Sequence, residues 1–131
     1  MCLFCDIIEG KIPSYKVYED EYTYAFLDIA NDIEGHTLVV SKEHCENILD
    51  ASNETLSHIM DSVKKISNHY LSLGYTGVNI INNSGKDAEQ SVMHLHFHIL
   101  PRKENDKYEV FPKFNKLDLA LDEVASKLKL N

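Results

Sequence analysis

A chain of 131 residues fits a single domain, 1–131, long enough to bury a core without disulfide support. With 44% apolar and 26% charged residues it reads as globular rather than disordered, and no apolar run approaches the ~18 residues of a membrane span. The formal charge of −8 excludes a protein that tracks a nucleic-acid polymer, which would need clustered Lys and Arg; a small anionic ligand would need local hydrogen-bond donors. Residues 1–6 lack the basic and apolar regions of a secretory signal, so the expected compartment is the cytoplasm. Three cysteines are an odd count for a disulfide scaffold, and Cys2-x-x-Cys5 reads as metal or redox chemistry.

In chain order, residues 14–41 predict two or three strands: Tyr15 to Tyr18, Tyr22 to Asp28, and His36 to Ser41, a natural meander. Ser52 or Asn53 is a good N-cap for a long helix whose apolar face is Leu56, Ile59, Met60, Val63, Ile66, Tyr70 and Leu71, stopped by Gly74. Thr76 to Asn82 predicts a strand, Asn83 to Glu89 a polar loop, and Val92 to Leu100 a second strand stopped by Pro101. Leu117, Leu121, Val124 and Leu128 suggest a short amphipathic helix after Asn115, and 102–114 carry no pattern. The expected class is α+β: an antiparallel sheet of about five strands packed against one long helix, with short helices at the two ends.

The main signal is His94-Leu95-His96-Phe97-His98-Ile99-Leu100. On a strand the three imidazoles share one face and Leu95, Phe97 and Ile99 share the other, which predicts an apolar face on the core and a histidine face in a cleft or at the surface. With 7 histidines in the chain, His-x-His-x-His arises by chance only about 0.02 times. The alternatives are a half-buried strand whose polar face is merely His-rich, and metal ligation. Strand positions i and i+4 lie ~13 Å apart, too far for both to reach one zinc through bonds of ~2 Å, so a single three-histidine metal centre is disfavoured.

The segment resembles the His-φ-His-φ-His-φ-φ signature of the histidine-triad (HIT) family of nucleotide hydrolases and transferases. Ala25 to Ile29, Gly35-His36, Lys42-Glu43-His44, and Asn83 through Gln90-Ser91 stand in the family's order and spacing, and the start at Cys2-x-x-Cys5 with a triad running into Pro101-Arg102 is similar to its bacterial zinc-containing subgroup. The resemblance implies that His96 attacks the α-phosphorus of a nucleotide and forms a nucleotidyl-histidine that water then hydrolyses, with a nearby backbone carbonyl fixing the tautomer; a neutral imidazole with pKa near ~6.5 is a competent nucleophile. It implies that His98 donates to a phosphoryl or bridging oxygen with His36 in support, that Asn83, Gln90 and Ser91 contact phosphate or assist the leaving group, and that Asp28 grips the ribose hydroxyls. Phe4, Ile7, Phe26 and Ile29 match positions that sandwich the base, although each also reads as plain core.

The resemblance further implies a structural Zn²⁺ on Cys2, Cys5, His44 and His94, which would pin the N-terminus and leave His96 and His98 free, and a homodimer through the long helix and the Thr76 to Asn82 strand. Cys45, His58 and His69 receive no role. Two departures stand out. Asn31 and Glu34 replace prolines that relatives often carry before Gly35, which predicts a looser loop, and Glu89 replaces a glycine before Gln90-Ser91, adding bulk and negative charge beside the phosphate loop. Two rival functions remain at this level: a zinc hydrolase whose metal activates water, in which chelation abolishes turnover at once, and a non-catalytic nucleotide-binding regulatory module, in which binding is insensitive to His96→Ala.

Overall fold

The computed structural model describes residues 2–131. Five strands form one antiparallel sheet: β1 (Lys16–Glu19), β2 (Thr23–Leu27), β3 (Thr37–Ser41), β4 (Gly77–Ile81) and β5 (His96–Arg102), in the spatial order β1-β2-β3-β5-β4. Helix α1 (Leu3–Ile8) precedes the sheet, α2 (Asn53–Ser72) links β3 to β4, and α3 (Leu121–Leu128) ends the chain. The class is the expected α+β. No helix of the described residues is long and apolar enough to cross a membrane.

Each face of the sheet has its own cover. Ala25, Val39, Leu95, Phe97 and Ile99 pack on Ile59, Val63, Ile66 and Tyr70 of α2, at the periodic positions expected of its apolar face. On the opposite face Phe26, Leu38 and Val40 pack under Phe4 and Ile7 of α1. The register pairs Val40 with His96 and Leu38 with His98, so the two histidines lie on the α1 side, while Val39 and Phe97 face α2.

The ends of α2 follow their local chemistry. Ser52 is the N-cap and its hydroxyl accepts from the Thr55 amide, while Gly74 takes the left-handed backbone beyond the last turn at φ +108°.

Three sequence-based boundaries need correction. The histidine strand begins at His96 rather than Val92, since the Leu95 amide bonds to the Cys45 carbonyl outside the ladder. It also runs through Pro101 to Arg102. The β3 pairing ends at Thr37 and Ile99, so the donor that Pro101 lacks costs no bond to β3, and its ring fills the space beside Gly35, where a Cβ would stand 2.9 Å from Pro101 Cγ. At the C-terminus the helix starts at Leu121 rather than soon after Asn115, and none of its residues is buried. With none of its residues buried, packing does little to set its start, and Ala120 offers no side-chain cap.

Candidate active site

A cavity of about 270 Å³ opens on the α1 side of the sheet. Its apolar wall includes Phe4, Ile7, Phe26 and Leu38, and its polar lining includes Asp28, Ser91, His96 and His98. His96 is only 7% exposed, yet it is not sealed off, because it faces this cavity with the edge of Phe4 against it at a centroid distance of 5.0 Å.

The protonation pattern of the imidazoles follows from their acceptors. His96 Nδ1 lies 2.6 Å from the His94 carbonyl oxygen. A carbonyl only accepts, so Nδ1 carries the proton and Nε2 holds the lone pair. Burial pushes the His96 pKa below its ordinary value, against the upward pull of that hydrogen bond and of the Asp28 charge, which keeps the ring neutral at physiological pH. Burial, together with the neighbouring His96 and His36, pushes His98 down to about 4.

His36 reaches the site from the start of β3. Its Nε2 is 2.9 Å from His98 Nδ1 and 3.6 Å from Asp28 Oδ2, and its Nδ1 is 2.8 Å from Asp32 Oδ1. Asp28 keeps one oxygen on the Ala30 amide at 2.8 Å, so the strand-end turn and the site share this carboxylate. At Asp32 burial raises the carboxyl pKa, but the hydrogen bond and charge of His36, with the Ile33 amide, outweigh it and hold the pKa below the usual range. Asp32 was not singled out from sequence. A carboxylate four residues ahead of a histidine in a loop has no periodic signature.

The loop after β4 closes the other side. Asn82 Nδ2 donates to the His96 carbonyl at 2.9 Å and Ser84 Oγ donates to Asn82 Oδ1 at 2.7 Å, so Asn82 is a second residue that sequence missed by one position. Asn83 is half-buried and does not line the cavity, whereas Ser91 is exposed at its rim. Gln90 is buried with its amide fully engaged: Oε1 accepts from Asn47 and the Gly85 amide, and Nε2 donates to the Glu46 and Val92 carbonyls. These four bonds tie the loop to Glu46 and Asn47. Ile29 lines the cavity but is 85% exposed, a rim rather than a wall.

Glu34, expected to loosen its loop, instead accepts from Tyr75 Oη and pairs with Lys103 at 3.6 Å, anchoring the loop to the far end of the sheet. Glu89 is exposed and takes the left-handed backbone at φ 67°, a conformation that glycine adopts without strain.

A second cluster lies where α1 meets the sheet. Cys2, Cys5, His44 and His94 each offer a ligand atom, all within 4.8 Å of one another. The separations are 3.2 Å for Cys2 Sγ to His94 Nδ1, 3.4 Å for Cys5 Sγ to His44 Nδ1 and 3.1 Å between the two Nδ1 atoms. Bonds of ~2.3 Å to sulfur and ~2.0 Å to nitrogen in a tetrahedron give edges of about this length, so the donor set fits zinc. His94 Nε2 donates to the Ser41 carbonyl at 2.6 Å, which turns the lone pair of Nδ1 toward the thiols. The thiolate form is disfavoured in these surroundings: burial, then the hydrogen bond and charge of Cys2, push the Cys5 thiol up to about 11. Coordination would remove that penalty by holding the thiolates against positive charge.

Residues 9–105 match the family model of the HIT domain. The chain belongs to the HIT family. It is 46% identical over 130 residues to an uncharacterised HIT-like protein of Methanocaldococcus jannaschii, covering 98% of this chain and 99% of the relative. It is 36% identical over 135 residues to the adenosine 5'-monophosphoramidase of Schizosaccharomyces pombe, with 98% of each chain covered. Among solved structures, the zinc-bound histidine-triad protein of Mycobacterium smegmatis superposes with a TM-score of 0.80 at 35% identity, covering 87% of this chain and 84% of that one. As a HIT protein, the chain carries its triad as two separate devices, with His94 turned to the cysteine cluster and His96 and His98 turned to the cavity.

Proposed function

We propose that this HIT protein is a nucleotide hydrolase or transferase that opens a phosphorus–nitrogen or phosphorus–oxygen bond at the α-phosphorus of a purine nucleotide, through a covalent nucleotidyl-His96 intermediate. The observation that supports this reading is the 2.6 Å contact between His96 Nδ1 and the His94 carbonyl, which leaves a lone pair on the other ring nitrogen of a cavity-lining imidazole, as a nucleophile requires. The name of the S. pombe relative favours a phosphoramidate.

In the first half-reaction the bond from His96 Nε2 to phosphorus forms as the bond to the leaving group breaks. His98 Nε2 gives its proton to the departing nitrogen or oxygen, and His98 Nδ1 takes the proton of His36 Nε2 across their 2.9 Å contact. Asp32 at 2.8 Å from His36 Nδ1 and Asp28 at 3.6 Å from its Nε2 orient the ring for that transfer. Water then adds to phosphorus, His98 takes its proton, and His96 leaves. Asp28 holds the ribose, Ser91 at the cavity rim meets the phosphate and leaving group, and Gln90 holds the loop that runs from Asn83 to Ser91. The base lies between Phe4, Ile7 and Phe26, with Ile29 at its edge.

Cys2, Cys5, His44 and His94 hold a structural Zn²⁺ in this reading; when bound it supplies the charge that keeps the thiols ionised and ties α1 over the cavity. Residues 1–131 act as one HIT domain. The chain pairs as a homodimer through α2 and β4, supported by an edge strand with Ile80 exposed and by exposed Met60 and Leu71 on the helix. Three cysteines without disulfides suit a reducing compartment such as the cytoplasm.

The test is steady-state hydrolysis of adenosine phosphoramidate and diadenosine polyphosphates. His96→Ala is expected to lower kcat by about 10³-fold or more while nucleotide still binds. An unchanged rate would refute the nucleophile, and binding without any turnover by the natural chain would refute the enzyme.

A further inference from the structure

The proton relay described above has the geometry of a metal-binding site. Asp28 Oδ2 and His36 Nε2 are 3.6 Å apart, His36 Nε2 and His98 Nδ1 are 2.9 Å apart, and all three donor atoms lie within 4.8 Å of one another. A tetrahedral cation with bonds of ~2.0 Å to nitrogen and oxygen separates its ligand atoms by ~3.3 Å, in the middle of that range. The other nitrogen of His36 is already bound to the Asp32 carboxylate at 2.8 Å, the outer-shell contact that orients metal-bound imidazoles and raises their basicity. Asp28 and His98 both border the cavity, which leaves a fourth position for water. Two carboxylates, Asp28 and Asp32, balance a divalent charge.

We propose that Asp28, His36 and His98 form a second, inhibitory site for a borderline divalent cation of the zinc class, whose occupation excludes productive nucleotide binding. The donor set of two imidazoles and one carboxylate selects Zn²⁺, Co²⁺ or Ni²⁺ over Mg²⁺ and Ca²⁺, which require more oxygen ligands. On binding, the proton held between the two rings is released to solvent while His98 keeps its proton on Nε2, both facing nitrogens become ligands, and the relay from His36 to His98 is broken. Asp28 is withdrawn from the ribose at the same time. This inhibition rests on the nucleotide reading of the cavity, but the site itself does not.

The experiment is calorimetric titration of the full chain, already carrying one equivalent of zinc on its Cys/His cluster, with further Zn²⁺. A second equivalent is expected. It disappears in His36→Ala and in His98→Asn, while retention of the first equivalent shows that both variants are folded. Asp32→Asn, which leaves all three donors in place, weakens the second equivalent about 10- to 100-fold. AMP weakens it too, and zinc weakens AMP by the same factor. A natural chain that stops at one equivalent, a second equivalent that survives His36→Ala and His98→Asn, or zinc and AMP that bind without mutual effect would overturn the proposal. AMP binding in buffer holding free zinc too low for the second site separates the two readings: its absence there sinks the nucleotide function and leaves the metal stoichiometry to be judged alone.

Discussion

Burial lowers the pKa of all three imidazoles of the triad, and their hydrogen-bond partners set them apart. Because His98 is held at about 4 in the folded chain, against about 6.5 unfolded, the unfolded form takes up a proton that the folded form refuses across that interval. Stability from this residue is complete above about pH 6.5 and is lost as the pH falls toward 4. The urea midpoint should therefore drop less over this window in His98→Asn than in the natural chain, with acid loss at the Cys/His cluster common to both; equal drops would show that His98 contributes nothing. Asp32→Asn should lower kcat by about tenfold, or about 1.4 kcal/mol of transition-state stabilisation, with KM little changed and an altered pH-rate profile. A changed KM with kcat intact would make Asp32 a binding residue instead. Sequence revealed His94, His96 and His98 because a period of two is written into adjacent positions. Asp32 and Asn82 act through contacts that exist only once a loop has folded back on His36 and His96, so nothing in their local sequence marks them.

At the scale of elements, the alternation along β5 assigns Phe97 and Ile99 to α2 and His96 and His98 to α1, and strand order then brings His36 beside His98. The junction of Gly35 with Pro101 fixes how closely these strands approach. Gly35→Ala places a methyl group on a left-handed backbone at φ +82° and 2.9 Å from the proline ring, so it should cost about 2–4 kcal/mol by equilibrium urea unfolding. A cost under about 0.5 kcal/mol would show that the loop yields freely. Rules based on residue type identified most elements but misjudged the ends of β5 and α3. Whether Pro101 ends a strand depends on where the neighbouring strand stops, and α3 has no buried residue from which its start could be read.

For the whole molecule, the α1 side is built from a short helix, an apolar wall and a metal-fitting cluster, and α1 is too short at six residues to persist alone. Stripping the Cys/His site with a chelator should lower the melting temperature by several degrees, with phosphoramidate turnover persisting at temperatures where the apoprotein stays folded. Immediate loss of turnover in folded apoprotein would instead support a zinc-activated water. The central claim is a bond between this chain and its substrate's phosphorus, and rapid quench during turnover of adenosine phosphoramidate, followed by intact-mass and peptide mapping, tests it most directly. The expected result is one adenylate per active chain, carried on His96 and absent from His96→Ala; turnover with no adduct at any quench time, or an adduct on another residue, would contradict it.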